Sequence, residues 1–293
     1  MKKSTSNILI IAASCFVIGV LCCVIALSMG VADEAPKQFG HLDKLVNVND
    51  EILNIDWSYY GDNVIRGSVE KQNITNGEMP ERIKLELGKA EARIEASKDD
   101  DIYVTTTNNA KLGYKIHDGE LTLATVGNHG KKTVITVLLP ERAYDRVKLE
   151  LGAGEFSVAC PIDSDEVVVE SGAGEVAFGK VVADTLDVEL GAGEITFDEI
   201  DVDELKLEVA AGNAAINGAI RKKGKAEVAA GNVALMLAGS EDDYTYKADG
   251  GMGNFTIGGK TVSGFALSRE GGNGDIALDF ECAMGNITVD FEK

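Results

Sequence analysis

The sequence predicts an all-β fold: a β-solenoid or β-helix of coils of about 19–22 residues, preceded by one N-terminal transmembrane helix. Three observations support this prediction. A short motif recurs eight times in the C-terminal half, apolar and polar residues alternate around each copy, and residues 8–31 form an apolar run without a charge. Such alternation is typical of half-buried strands, and a fixed repeat period is typical of stacked coils.

The N-terminal segment has the length and composition of a membrane span. Its apolar run, Ile8 to Val31, is long enough to cross a hydrocarbon core of about 30 Å, and Lys2 and Lys3 precede it. The positive-inside rule then predicts a single-pass protein of the cell membrane with a cytoplasmic N-terminus and an extracellular C-terminal domain. A signal peptide cleaved after Ala32 is the alternative, and a lipoprotein attached at Cys15 is a weaker one.

The chain divides into four parts. These are a cytoplasmic tip and membrane anchor at 1–32, a polar linker at 33–47, a membrane-proximal cap at 48–80 and the solenoid at 81–293. The cap contains an aromatic cluster, Trp57, Tyr59 and Tyr60, which we interpret as part of a strand that covers the open end of the stack. A partner site or a platform for carbohydrate stacking is the alternative for these three side chains.

The repeated motif is an acidic residue followed four positions later by glycine and then by Glu, Asn or Asp. The copies are Glu150–Glu155, Glu170–Glu175, Glu189–Glu194, Glu208–Asn213, Glu227–Asn232, Asp249–Asn254, Glu270–Asp275 and Glu281–Asn286. The closing glycines up to Gly274 are about 19–22 residues apart, and Gly285 follows after about half a period.

Each copy predicts two short strands joined at a glycine corner. Apolar residues lie seven, five and three positions before the glycine, and again two and four positions after it. One such unit cannot bury its apolar face alone, so the copies are expected to stack in parallel about 4.8 Å apart. Residues 83–94 fit the template with Ala90 in place of the glycine, and Asp118-Gly119 predicts a turn within the alternating segment that follows.

Composition limits the partners. The formal net charge of −20 argues against nucleic acid and leaves cations, cationic peptides, neutral sugars and other proteins as candidate ligands, while solubility alone is the alternative explanation of the charge. Outside the apolar run only Cys160 and Cys282 are present, near opposite ends of the predicted stack, so both are expected to be free and buried.

Stacking is expected to align the acidic residues in two outward columns. We treat both as a hypothetical cation ladder, because carboxylates are suitable calcium ligands, although plain corner structure is the alternative; no other cofactor is expected. Lys148, Lys206, Lys225 and Lys247 are positioned to neutralise part of the first column. That column contains Glu150, Glu170, Glu189, Glu208, Glu227, Asp249, Glu270 and Glu281; the second contains Glu155, Glu175, Glu194, Asn213, Asn232, Asn254, Asp275 and Asn286.

No catalytic motif is recognisable, so an enzyme is not expected. The three histidines, His41, His117 and His129, lie outside the regular repeat and have no metal-ligand spacing. The Gly-Ala-Gly corners lack the context of a dinucleotide site, and no phosphate-binding loop or nucleophile elbow is present.

The Leu-Glu-Leu-Gly-Ala-Gly-Glu corner at residues 149–155, repeated behind one N-terminal anchor, resembles the bacterial putative-adhesin domains of unknown function. It is also similar to membrane proteins that sense cell-envelope stress. The resemblance covers roughly residues 45–293 and implies a surface-exposed, non-enzymatic module in binding, adhesion or envelope sensing. A passive structural spacer is the alternative function, and a polysaccharide-active β-helix enzyme is a weaker one.

Overall fold

A computed structural model of the protein describes residue 60 and residues 63–108, 110–125 and 133–292. The predicted anchor, the linker, and Trp57 and Tyr59 of the cap lie outside these residues. In the part that is described, no helix has both the length and the apolar character needed to span a membrane. The described chain is all-β apart from one 3₁₀ helix, Glu241–Asp243.

Thirteen strands belong to one sheet. In chain order they are β1 Val64–Arg66, β2 Val69–Asn73, β3 Arg82–Lys89, β4 Glu91–Ala96, β5 Tyr103–Thr106, β6 Lys111–His117, β7 Glu120–Thr125, β8 Val134–Leu139, β9 Ala143–Val158, β10 Ile162–Ala238, β11 Tyr244–Ile257, β12 Lys260–Gly272 and β13 Ile276–Glu292.

The long strand β10 is wound. A straight strand of its 77 residues would extend about 250 Å. It instead turns at a glycine once per coil, and each corner rests on the corner of the coil before it. A Cβ atom added to Gly174 would lie 2.0 Å from the carbonyl oxygen of Gly154, and one added to Gly193 would lie 2.0 Å from that of Gly174. The chain therefore forms the predicted β-solenoid-like stack.

Parallel register joins the first coils. Glu86 of β3 pairs with Glu150 of β9, and Glu150 pairs with Glu170 of β10. The 83–94 segment is thus a coil with Ala90 at its corner, as predicted. Outside this coil, β7 pairs in parallel with β3, and β8 pairs in parallel with β4. Next, β6 pairs antiparallel with β7, and β5 pairs antiparallel with β8. Finally, β1 pairs antiparallel with β6, and β2 pairs antiparallel with β5. Asp118 and Gly119 form the predicted turn between β6 and β7.

At the opposite end the coils do not stack in chain order. The order in space is β10, β13, β11, β12, so the last strand of the chain lies between β10 and β11. Strand β12 runs antiparallel to β11, and none of the other described strands pairs with its second edge. The prediction that Glu270–Asp275 forms a coil was wrong: Glu270 belongs to β12, and Gly274 lies in the connection to β13.

A single apolar core fills the interior of the stack. It contains inward side chains from both sides of each corner, for example Leu186, Val188 and Leu190 before Gly193 and Ile195 and Phe197 after it. The rings of Phe178 and Phe197 stack with centroids 4.5 Å apart. Cys160 and Cys282 are buried in this core as free thiols, which confirms the prediction made from their positions.

Candidate binding surface

A row of carboxylates, the acidic column, runs along one face of the stack. The backbone register aligns Glu86, Glu150 and Glu170 at one end and Glu227, Glu281 and Asp249 at the other. Glu189 and Glu208 lie between these two groups, because the corners at Gly193 and Gly212 rest in turn on Gly174 and Gly193. The first predicted column is therefore present, but Glu270 is not part of it, since it pairs with Lys247 across the antiparallel strands.

Lysines two positions before the carboxylates neutralise part of the column. Lys148 Nζ lies 2.9 Å from Glu150 and 2.8 Å from Glu170, and Lys206 Nζ lies 2.8 Å from Glu208. Lys225 contacts Glu227, and Lys247 contacts Asp249 at 2.5 Å. All four lysines therefore make the predicted ion pairs, and Lys84 adds a pair with Glu86 at 2.5 Å.

This compensation is weakest at Glu189. Asp187, and not a lysine, lies two positions before it, and Lys206 of the next coil is already engaged by Asp187 at 3.4 Å and by Glu208. Burial and repulsion from Glu208 and Glu170 raise the pKa of Glu189. In contrast, burial opposes ionisation of Glu150, but Lys148 and Lys84 outweigh it and lower the pKa of that carboxyl. The centre of the column thus carries uncompensated negative charge.

The second column changes its chemistry along the stack. Glu155, Glu175 and Glu194 are exposed on the first coils, whereas the later coils carry asparagines at the same position. These asparagines form an amide ladder, in which Asn232 Nδ2 donates to Asn213 Oδ1 (2.9 Å), Asn286 Nδ2 to Asn232 Oδ1 (2.6 Å) and Asn254 Nδ2 to Asn286 Oδ1 (2.5 Å). Asp275 was wrongly placed in this column, because it lies between β12 and β13.

In the described ranges, no group of three His, Cys, Asp or Glu side chains is arranged to hold a metal ion. The cation ladder of Glu150, Glu170, Glu189, Glu208 and Glu227 with Glu155, Glu175 and Glu194 therefore stays a prediction. His117 lies at the exposed end of β6, with Nε2 3.3 Å from Asp118.

Of the three aromatic residues in the predicted cap, Tyr60 is described. Its ring is buried and packs against Gly113 of β6, where an added Cβ would lie 2.7 Å from the ring. Strand β6 belongs to the first end of the stack, so the capping role of the 48–80 segment stays a prediction. The ring of Tyr60 is therefore not on the surface, where a stacking platform would need it.

Sequence reasoning missed a shallow groove of ≈ 550 Å³ at the opposite end. It lies on the outer face of β10, β13, β11 and β12, and Lys223, Lys225, Lys247, Asp279 and Glu270 contribute to its lining. The groove could not be found from the repeat, because it depends on β13 lying between β10 and β11. Lys223 is engaged by Glu204 at 2.8 Å, as Lys225 and Lys247 are by their column partners.

Comparison with known proteins gives one family. Residues 80–288 match the family described as Toastrack DUF4097. No curated protein matches the chain.

Three solved structures of bacterial proteins are similar to the chain. A "putative adhesin" from Parabacteroides distasonis ATCC 8503 is 15% identical, with 75% of this chain and 97% of that chain covered and a TM-score of 0.44. One from Parabacteroides merdae ATCC 43184 is 17% identical, with 80% and 98% covered and a TM-score of 0.42. One from Bacteroides fragilis NCTC 9343 is 12% identical, with 78% and 98% covered and a TM-score of 0.40.

Proposed function

The chain belongs to the Toastrack DUF4097 family, and on that premise we propose that it is a non-enzymatic binding module of the adhesin type. The uncharged run Ile8 to Val31, with lysines before it, supports presentation outside the cell on a single-pass membrane anchor. The ligand is a cationic peptide or a protein with a basic surface, and it binds along the acidic column.

The observation that carries this proposal is the uncompensated charge at Glu189. Coils with Lys148 and Lys206 neutralise their own carboxylates, whereas Glu170, Asp187 and Glu189 together exceed the positive charge beside them. Burial and then repulsion raise the pKa of Glu189, and the repulsion is relieved when a ligand's ammonium or guanidinium group lies between these carboxylates. A rigid stack holds such groups at a fixed spacing, so little conformational entropy is lost on binding.

The groove residues support the non-enzymatic part of the proposal. A catalytic lysine needs a lowered pKa. Hydrogen bonds to Glu227 and to Asp249 instead raise the pKa values of Lys225 and Lys247.

Thermal melting of the full chain in detergent tests the proposal, because a ligand that binds only the folded state raises the melting temperature. We would compare oligolysine, calcium and a chelator. The test variant is Glu170→Gln with Glu189→Gln and Glu208→Gln. The matched control is Glu155→Gln with Glu175→Gln and Glu194→Gln, which removes the same charge from the second column.

Oligolysine is expected to raise the melting temperature of the wild type and of the control, and to have little effect on the test variant. Equal shifts in both triple variants would mean attraction to net charge alone and would sink the proposal. No shift with any additive would favour the passive spacer. A rise with calcium that the chelator reverses would support the cation ladder.

A further inference from the structure

The last strand of the sheet, β12, ends the stack with an open edge. It contacts β11 on one side and no other strand in the described part of the chain. Val262 and Leu267 on its inner face are only partly covered, and Leu267 packs against the core from the end of the stack. An edge with unpaired backbone N–H and C=O groups is a template for another strand.

Large apolar side chains are exposed at the same end. The residue before each closing glycine is alanine through the middle of the stack, from Ala153 to Ala230. On the last coils this position is Met284 and Met252, which are 55% and 48% exposed, and Phe265 of β12 pairs with Met252 and is 77% exposed. We name Met284, Met252 and Phe265 the tip row.

The residues directly beside the tip row are uncharged. On one side lie Asn286 and Asn254 of the amide ladder and then Ser263, and on the other lie Ala283, Gly251 and Ala266. The corresponding corner of the first coils carries Glu155, Glu175 and Glu194 instead. In a chain with a net charge of −20, two copies can approach one another through this uncharged corner without opposing carboxylates.

The exposure pattern of β12 is symmetric about its own corner from Thr261 to Ser268. Val262 and Leu267 are the partly covered positions nearest the corner on either side, and Thr261 and Ser268 are the exposed positions beyond them. Antiparallel pairing of two β12 strands, with Gly264 opposite the partner's Phe265, therefore places Val262 opposite the partner's Leu267 and Thr261 opposite the partner's Ser268. Such a two-fold contact uses one surface twice.

Charges at the ends of β12 are compatible with this pairing. Lys260 would lie opposite the partner's Arg269, but Glu241 neutralises Lys260 at 3.2 Å within its own chain. Arg269 is turned inward, where it donates to the carbonyl oxygen of Lys260 and to the hydroxyl of Tyr246 at 3.1 Å. Neither cation is directed at the other copy.

From the open edge, the uncharged tip row and the symmetric pattern, we propose that the protein forms a homodimer, tip to tip, through β12. The two sheets become one continuous sheet, and the two tip rows join across the two-fold axis. The contact covers Val262 and Leu267 and satisfies the backbone groups of the edge. The two stacks point in opposite directions, so their first coils lie at the far ends of the dimer.

The test uses the full chain in detergent and follows its mass by sedimentation over a range of concentrations. The wild type is expected to change from monomer to dimer. Phe265→Asp places carboxylates on both sides of the two-fold axis and should weaken dimerisation by at least about tenfold. Met79→Asp is the matched control, because Met79 is also exposed, at 56%, but lies outside β12; it should dimerise like the wild type.

Cross-linking tests the geometry of the contact. Phe265→Cys places a thiol beside the axis, so an added oxidant should join two chains by a disulfide, and Met79→Cys should not cross-link. Cys160 and Cys282 do not interfere, because both are buried, and the three cysteines of the N-terminal apolar run are replaced by serine in both variants. The inference fails if the wild type is monomeric throughout, if Phe265→Asp dimerises normally, or if both cysteine variants cross-link equally. If the wild type is monomeric but still binds oligolysine, the dimer is refuted and the proposed binding function is not.

Discussion

Gly174 and Gly193 show why the corner admits no side chain. Gly174 has a φ of 127°, and the carbonyl oxygen of Gly154 lies 2.0 Å from where its Cβ would be. The obstacle is backbone, which cannot swing aside as a flexible side chain can. The coils can therefore stack this closely only where the closing position of the corner is glycine.

Gly174→Ala should destabilise the protein strongly. The positive φ and the overlap with the Gly154 carbonyl oxygen each cost on the order of 1–3 kcal/mol, so the loss in free energy of unfolding should be roughly 2–6 kcal/mol. Urea denaturation measures it. Gly179→Ala is the control, because its Cβ would meet nothing closer than 3.6 Å; a similar loss in both variants would contradict this account.

Glu189→Gln should stabilise the folded protein at neutral pH, by roughly 0.2–1 kcal/mol, because it removes repulsion between aligned carboxylates. Glu208→Gln is the control. It loses the ion pair with Lys206, so it should give no stabilisation.

The effect of Glu189 should depend on pH in a defined direction. Its pKa in the folded state is raised above the ordinary value of 4.5, so the folded protein holds this proton more tightly than the unfolded chain. Ionisation therefore lowers stability as pH rises from about 4.5 through the folded pKa. The advantage of Glu189→Gln should grow across that window in denaturation curves, and an advantage that shrinks there would contradict the assignment.

At the scale of the element, the amide ladder links four coils through side chains. Asn232 both donates to Asn213 and accepts from Asn286, whereas Asn254 makes one ladder bond at the end. Asn232→Ala should thus lower the free energy of unfolding by roughly 1–2 kcal/mol and Asn254→Ala by about half as much. Equal losses in thermal melts would mean that the ladder bonds contribute little.

The elements that could be predicted are those whose apolar positions are complete. The coil at Gly285 has Leu278, Phe280 and Cys282 before its corner, all buried. The wrongly predicted coil at Gly274 has Arg269 and Gly271 at two of these three positions. It therefore matches the repeated motif but lacks the apolar side chains that would point into the core. Leu278 would also have had to serve both coils, which their half-period spacing makes impossible.

The candidate surface could be predicted only in part, for a related reason. Columns and their lysine partners follow from the repeat period alone, so Lys148 and Lys206 were placed correctly. The order of the last coils depends on whether β11 or β13 pairs with β10. The two strands carry similar motifs, so the sequence does not decide between them. The groove and the tip row follow from that choice.

For the whole molecule, β13 joins the tip to the rest of the stack. Phe280 is fully buried in β13 and packs in the core between β10 and β11. Phe280→Ala should lower the free energy of unfolding by about 3–5 kcal/mol. Hydrogen exchange should also show faster loss of protection in β11 and β12 than in β9.

Phe265→Ala is the comparison, because Phe265 is exposed and should leave the fold intact. If Phe280→Ala accelerated hydrogen exchange equally in all coils, β11 and β12 would not unfold as a unit separate from the rest of the stack.

The insertion of β13 also has a consequence for biogenesis. During synthesis β11 and β12 emerge before β13, and β11 carries an Asp-x-x-x-Gly-Asn pattern that matches the Glu-x-x-x-Gly-Asn pattern with which β13 pairs with β10. Premature docking of β11 on β10 would be a kinetic trap, since it occupies the edge that the seventeen residues of β13 require. The native strand order cannot form until β13 has been synthesised, so a nascent chain that ends before Ile276 cannot adopt the native topology.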